Sequence, residues 1–198
     1  GGIVGGLEGL QQGLGLQVTP YVRVDLERPA WDQLEPGARV GGDVSFRPTP
    51  ETNVLLTFGT DFAETEVDDR RVNLTRFPLF FPEKRDFFLE DASLFEFGAP
   101  SNRSSIVPFF SRTIGRDDSG QAVDLLAGAK FSARSGPWTL GALDVQVAGW
   151  DSEDGAQVEE KNLAVVRGAR QVGEEGSVGV LVTAGLPDAS GQAMTAGA

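Results

Sequence analysis

Long stretches of alternating apolar and polar residues constrain this chain more than any other feature of its sequence. Residues 14–26 carry apolar side chains at even positions and polar ones at odd positions, interrupted at Pro20, and residues 123–134 alternate in the same way. Because successive side chains of a β-strand point to opposite faces, a period of two predicts strands with one apolar and one polar face. Pro20 predicts that the first strand is an edge strand or carries a bulge.

The remaining segments extend this pattern into an all-β, antiparallel fold. Residues 40–47 and 53–62 read as two strands of a hairpin joined by the turn RPTPETN. Further strands are predicted at Pro108–Arg116, at Trp138–Trp150 with a bulge near Leu143, and at 161–172 and 177–185.

Strand length indicates whether such a sheet can cross a membrane. Several strands run for about ten residues, the length that a tilted strand needs to cross a bilayer. Short turns alternate with longer connections, and Trp138 and Trp150 bracket one strand as interfacial residues would. The pattern predicts a transmembrane outer-membrane β-barrel with a polar lumen. A soluble β-sandwich with one buried face is the alternative that periodicity leaves open.

Composition excludes several classes of function. The net charge of −12 and the pI near 4.4 argue against nucleic acid as a partner. With no histidine and no cysteine, the chain lacks the residues of Ser-His triads, thiol catalysis and most transition-metal sites. Any enzyme built on it has to work with carboxylates.

One segment, residues 70–98, fits neither regular period and is rich in phenylalanine and in both signs of charge. It forms the centre of a predicted irregular insertion at about 63–107. The phenylalanines are interpreted either as a packed plug bonded to charges of the lumen wall, or as a platform for sugars or apolar ligands. The candidate binding residues are Arg76, Phe80, Phe81, Glu83, Lys84, Arg85, Phe87, Phe88 and Glu90.

An acidic group precedes that segment. It consists of Asp61, Glu64, Glu66, Asp68 and Asp69, hard oxygen ligands at short spacing that suit Ca²⁺. Calcium is accordingly the one cofactor considered. The alternative is a structural network of these carboxylates with Arg70, Arg71 and Arg76.

Paired carboxylates also raise the alternative of a membrane-tethered glycan hydrolase. Glu83 with Glu90, or Glu64 with Asp68, would be its acid and base. No catalytic residue is predicted on the main interpretation.

The motifs between residues 53 and 116 resemble a bacterial family catalogued as domain of unknown function 5916. They are the acidic run after Asp61-Phe62, VNLTRF at 72–77, FFPEKR at 80–85, FFLE at 87–90, LFEFG at 94–98 and SRTIGR at 111–116. Asp86 departs from the pattern, where proline is common. The likeness covers roughly residues 14–186.

The resemblance implies an outer-membrane β-barrel that usually follows a family-9 carbohydrate-binding-like module. It implies a location in the bacterial outer membrane, membrane lipid and glycans as partners, and a role in glycan binding or uptake. Residues 1–13 are expected to be a Gly-rich N-terminal segment and residues 14–198 the N-terminal part of one barrel domain.

Overall fold

The computed structural model of the chain describes residues 13–27, 35–60, 83–95, 109–117, 123–151, 157–173, 176–185 and 194–197. These ranges fold mainly into β-strands: β1 (Leu16–Glu27), β2 (Glu35–Thr49), β3 (Thr52–Thr60), β4 (Leu125–Ser135), β5 (Trp138–Val147), β6 (Trp150–Asp151), β7 (Gln157–Val158), β8 (Lys161–Val172), β9 (Gly176–Ala184) and β10 (Met194–Gly197).

An eight-stranded antiparallel sheet dominates the structure, in the order β1-β2-β3-β4-β5-β8-β9-β10, and β6 pairs with β7 in a separate two-stranded sheet. The all-β, antiparallel expectation and the β2–β3 hairpin are confirmed. Within the described ranges β1 pairs only with β2 and β10 only with β9, so the described sheet is open and no closed barrel is formed. None of the helices in the described part of the chain is long and apolar enough to cross a membrane.

The two faces of this sheet differ sharply. We call the face that carries Val18, Val22 and Val166 the outer face, where large apolar side chains are exposed. The inner face is polar on β1–β3 and apolar on β5, β8 and β9. On the apolar part lies a buried cluster of Phe88, Leu94, Phe95, Ile114, Val123, Leu125, Leu143, Val145, Val147, Leu163, Val165 and Leu181.

Residues 83–95, here called the docked segment, pack on the inner face. A one-turn α-helix, α1 (Asp86–Leu89), is followed by a 3₁₀ turn at Ala92–Phe95. Asp91 lies between them with a φ of 53°, a left-handed conformation that ends the first turn. A second 3₁₀ turn, Ser111–Thr113, lies beside the docked segment.

The strand predicted at Pro108–Arg116 is wrong, since its described part, from Phe109 on, holds that 3₁₀ turn and only an isolated bridge at Arg116. The carbonyls of Ser111 and Ile114 accept hydrogen bonds from the Arg85 side chain. A buried side chain here satisfies backbone groups that a neighbouring strand would otherwise pair.

The bulge predicted near Leu143 is also misplaced. Pairing of β5 with β8 runs unbroken through Leu143, which is buried in the inner cluster. The register shift lies instead between Leu125 and Ala127 of β4. There Leu125 lies on the inner face and Ala127 on the outer face, so the alternation seen in the sequence crosses from one face to the other.

Trp138 and Trp150 do not bracket one strand. Trp138 begins β5 and is exposed, whereas Trp150 begins β6 and packs against the inner cluster. The side chain of Lys161 lies 4.6 Å from the centre of the Trp150 ring. Trp150 is thus a partly buried residue at the edge of the inner cluster.

Candidate functional site

The docked segment begins with a buried ion pair between Glu83 and Arg85. Arg85 Nε lies 2.8 Å from Glu83 Oε1, and Arg85 Nη2 lies 2.8 Å from Glu83 Oε2, a bidentate arrangement. Ser111 Oγ donates to Glu83 Oε2 at 2.6 Å, and Arg85 donates to the carbonyls of Ser111 and Ile114 at 2.6 and 2.7 Å. The pair therefore ties the docked segment to residues 111–114.

The electrostatics of this pair favour two charged partners. Burial alone would raise the pKa of Glu83, but the hydrogen bonds and charge of Arg85, with the Ser111 hydroxyl, lower that pKa to about 2. Burial lowers the pKa of Arg85, an effect that the Glu83 carboxylate opposes. Glu83 is consequently ionised at neutral pH and fully hydrogen-bonded, which argues against its use as a general acid.

Lys130 of β4 holds the other end of α1. Its ammonium donates to the carbonyl oxygens of Phe87 and Glu90 and lies 5.3 Å from the centre of the Phe87 ring. The residue is only 3% exposed. A cation at the C-terminal end of a helical turn satisfies carbonyls that lack intrahelical donors.

Glu90 and Asp91 connect the docked segment to three strands. Glu90 accepts hydrogen bonds from Arg47 of β2 and from Asn53 of β3, the latter at 3.0 Å. Asp91 accepts from Ser132 and lies 3.6 Å from Arg134, both on β4.

The environment of Asp91 stabilises its charged form. Burial would raise its pKa, but hydrogen bonds from Ser132 and Asn53 and the charges of Arg134 and Lys130 lower it. The carboxylate is therefore held as an anion against the inner face.

Aromatic rings of the docked segment rest on glycines of the sheet. A Cβ at Gly128 would lie 2.9 Å from Cζ of Phe87, and a Cβ at Gly141 would lie 3.2 Å from Cζ of Phe95. Phe88 is buried with the Arg85 guanidinium 4.2 Å from the centre of its ring. These contacts fix the segment on β4 and β5 by shape, because only glycine leaves room for the rings.

A cleft of about 1280 Å³ separates the docked segment from the polar inner face of β1–β3. Its wall side includes Gln17, Thr19, Asp43, Ser45, Arg47 and Thr57, and its segment side includes Glu83, Lys84, Arg85, Asp86, Phe87 and Glu90. The cleft offers hydroxyl, amide and charged groups from both sides.

Several candidate binding residues from the sequence meet in this region. Glu83, Arg85 and Phe88 are packed into the fold, whereas Lys84, Phe87 and Glu90 are half-buried beside the cleft. Arg76, Phe80 and Phe81 lie outside the described residues. The structure does not pair Glu83 with Glu90 as an acid and base, because each binds a different arginine.

The candidate calcium ligands Asp61, Glu64, Glu66, Asp68 and Asp69 also lie outside the described residues, as does the Glu64–Asp68 pair. Among the residues that the structure describes, no group of three or more Asp, Glu, His or Cys side chains is placed to hold a metal ion.

Sequence reasoning missed the residues of the wall that bind the docked segment. Besides Lys130, these include Asn53, Ser132 and Arg167, whose Nη1 donates to the carbonyl of Leu94 at 2.8 Å. The sequence did show that these residues are polar and lie on the inner face of alternating strands. Nothing in the sequence says which loop returns to meet them.

The comparisons with known proteins agree with the sequence motifs. No curated protein and no solved structure matches the chain at a significant level. One family profile, described as Domain of unknown function (DUF5916), matches residues 13–136, which include β1–β4, the docked segment and the Glu83–Arg85–Ser111 cluster. The chain therefore belongs to this family of unknown function.

Proposed function

We propose that this chain forms part of the wall of a transmembrane β-barrel in a bacterial outer membrane, with its outer face toward lipid and the docked segment on the lumen side. The observation that carries the proposal is the exposed apolar outer face. Soluble monomers rarely expose contiguous apolar patches larger than a few hundred Å². Here such a surface extends from β1 to β9.

The apolar residues of the outer face lie opposite one another on neighbouring strands. One row of mutually paired residues crosses the sheet from β1 to β9 without a polar member: Leu16, Phe46, Val54, Phe131, Ala142, Val166 and Val182. Val166 in this row is 56% exposed. A surface of this kind suits contact with lipid, because charged side chains are costly at the middle of a lipid-facing strand.

The apolar band runs obliquely to the strands. On β1 and β2 it continues past this row to the pairs Val22–Val40 and Val24–Ala38. On β5 it extends in the opposite direction, to Leu140 and Trp138. Such an offset supports strands that are tilted relative to the band, as in barrels that cross a membrane.

Polar groups border the band where β5 pairs with β8. At one border Trp138 lies opposite Arg170, whose guanidinium is 5.4 Å from the centre of the indole. At the other border Asn162 donates to Asp144 at 3.1 Å. Tryptophan is enriched at membrane interfaces, so the position of Trp138 at one border supports this assignment.

The soluble β-sandwich is supported less well. A sandwich buries one apolar face of each sheet against another sheet. In the described ranges the docked segment covers the apolar part of the inner face, and the outer face has no second sheet on it.

Replacing Val166 with Arg tests the proposal. We expect Val166→Arg to reduce outer-membrane assembly strongly, since an Arg at the middle of a lipid-facing strand costs about 2–4 kcal/mol. Assembly is measured by membrane fractionation and by heat-modifiable migration in gels.

Ser135→Arg is the matched control. Ser135 lies on the outer face, in the row where Trp138 already pairs with Arg170. A cation near the interface costs only about 0–1 kcal/mol, so this variant should assemble normally. Normal assembly of Val166→Arg, or recovery of the unaltered protein in the aqueous fraction, would refute a lipid-facing wall.

A role in glycan binding or uptake is the finer part of this proposal. It rests on the family's usual attachment to a carbohydrate-binding-like module. Binding of fluorescent oligosaccharides to cells that display the full-length protein checks it. Equal binding to cells that lack the protein would remove the glycan role and leave the membrane wall intact.

A further inference from the structure

The cleft between the docked segment and β1–β3 follows the direction of the strands. Its lining on β3 extends from Leu55 to Thr60, which at about 3.4 Å per residue corresponds to about 17 Å. If the strands cross the membrane, the cleft follows them through roughly half of the hydrocarbon core, which is about 30 Å thick.

The lining of this cleft includes apolar side chains, among them Leu55 and Leu89, and its polar groups on the wall side are largely uncharged. Hydroxyls of Thr19, Ser45, Thr57 and Thr60 lie on the wall side with the amide of Gln17. Thr57 donates to Asp43 at 2.6 Å. Two acidic side chains of the segment side, Glu83 and Glu90, form ion pairs with arginines. Much of the charge around the cleft is thereby compensated.

One contact that lines this cleft is more exposed than the buried contacts that hold the docked segment. The Glu83–Arg85 pair, Lys130 and the rings of Phe88 and Phe95 are buried and fix the segment on the sheet. The Arg47–Glu90 pair instead joins β2 to the segment with side chains that are 59% and 32% exposed. Exposed ion pairs are weak and screened by salt, so this contact can break while the segment remains in place.

We propose that the cleft is a passage for small, uncharged polar solutes, and that the Arg47–Glu90 ion pair is its constriction. The inference rests on the membrane wall proposed above, because the cleft lies within the bilayer only if the strands cross it. The docked segment is then a fixed part of the lumen, and two side chains set the width of the path beside it.

Swelling of proteoliposomes in arabinose tests the constriction. Glu90→Gln and Arg47→Gln should each raise the swelling rate of the full-length protein by up to about five-fold, the bias that an exposed ion pair supplies. Glu51→Gln is the control, because it removes one carboxylate from the exposed β2–β3 turn, away from the cleft. Unchanged rates in both test variants, or an equal rise in the control, would overturn the assignment.

Thiol labelling tests the passage independently. The chain has no cysteine, so single substitutions report unambiguously. Ser45 lines the cleft and its neighbour Val44 lies on the outer face, and both are half-buried. A charged, water-soluble thiosulfonate should modify Ser45→Cys at least ten-fold faster than Val44→Cys and should slow swelling through the former alone.

The outcomes separate this inference from the membrane wall. Inserted, heat-modifiable protein that shows no arabinose flux, or that labels Ser45→Cys as slowly as Val44→Cys, overturns the passage and leaves the wall standing. Protein that fails to insert overturns both.

Discussion

At the scale of single residues, Glu83 is the most constrained side chain on the described surface of the cleft. Its carboxylate accepts hydrogen bonds from the backbone N–H groups of Lys84 and Arg85 as well as from the Arg85 and Ser111 side chains. A buried carboxylate with this many donors is stable only as an anion. Its charge is thus a condition of docking.

We expect acid to loosen this cluster. The pKa of Glu83 falls from 4.5 to about 2 on folding. A pKa lowered in the folded state contributes stability that is complete above the unfolded pKa and is lost as pH falls from about 4.5 to about 2, here about 3 kcal/mol. Urea unfolding followed by tryptophan fluorescence at pH 7 and pH 3 should show about 2 kcal/mol of this loss, because pH 3 lies between the two pKa values.

Glu83→Gln provides the comparison. It leaves Arg85 buried without its anion, which typically costs about 3–5 kcal/mol at pH 7, and it should remove most of the acid-dependent loss. The exposed Glu159→Gln should behave like the unaltered chain. An unchanged acid response in Glu83→Gln would show that other carboxylates govern it.

At the scale of elements, glycines decide where the docked segment lies. Gly128 and Gly141 face Phe87 and Phe95 from neighbouring strands, and a methyl group at Gly128 would lie 2.9 Å from both Phe87 Cζ and Thr57 Cγ2. The rings therefore define one position along β4 and β5. Any larger residue there displaces the segment or distorts the sheet.

Gly128→Ala should release the docked segment in part. Overpacking of this kind costs about 1–3 kcal/mol, and we expect faster trypsin cleavage after Lys84 or Arg85 in the assembled protein. Gly168→Ala is the control, since a Cβ there meets only Leu140 Cδ2 at an ordinary 3.6 Å. Equal protection of the segment in both variants would contradict its docking on Gly128.

The sequence predicted strands better than it predicted their partners. Alternation located β1, β2 and β3 because their inner face is polar, so the two faces differ in composition. Alternation gave wrong predictions at Leu125 and Leu143. There the inner face is apolar because it packs against a buried cluster, so the two faces of the strand no longer differ in composition. The charges at 83–90 pointed to a bonded insertion, but Lys130 and Asn53 were recognisable as its partners only from the sheet.

At the scale of the whole molecule, the sheet has one apolar face toward the outside and one face occupied by its own chain. Trp138 and Trp150 report these two sides, since Trp138 lies at the border of the outer face and Trp150 packs against the inner cluster. The same side chain thus occurs on both sides of the sheet. Fluorescence of Trp138 can therefore be compared directly with that of Trp150 in the same protein.

Quenching by brominated lipids should distinguish these tryptophans. Variants that retain one tryptophan, with Phe at the other two positions, isolate each signal. We expect lipids brominated near the headgroup to quench Trp138 strongly and Trp150 weakly, because quenching requires contact with the acyl chain. Equal quenching of both, or none of Trp138, would contradict the assigned faces.

The docked segment also has a consequence for how the chain folds. Strands β3 and β4 are neighbours in the sheet, yet residues 61–124 separate them in sequence. Pairing them directly closes one long loop, a conformational search that slows folding. A segment at 83–95 that binds Asn53 on one strand and Lys130 on the other divides this search into two shorter closures. The contacts that fill the inner face thus also shorten the loop closures that are needed to pair β3 with β4.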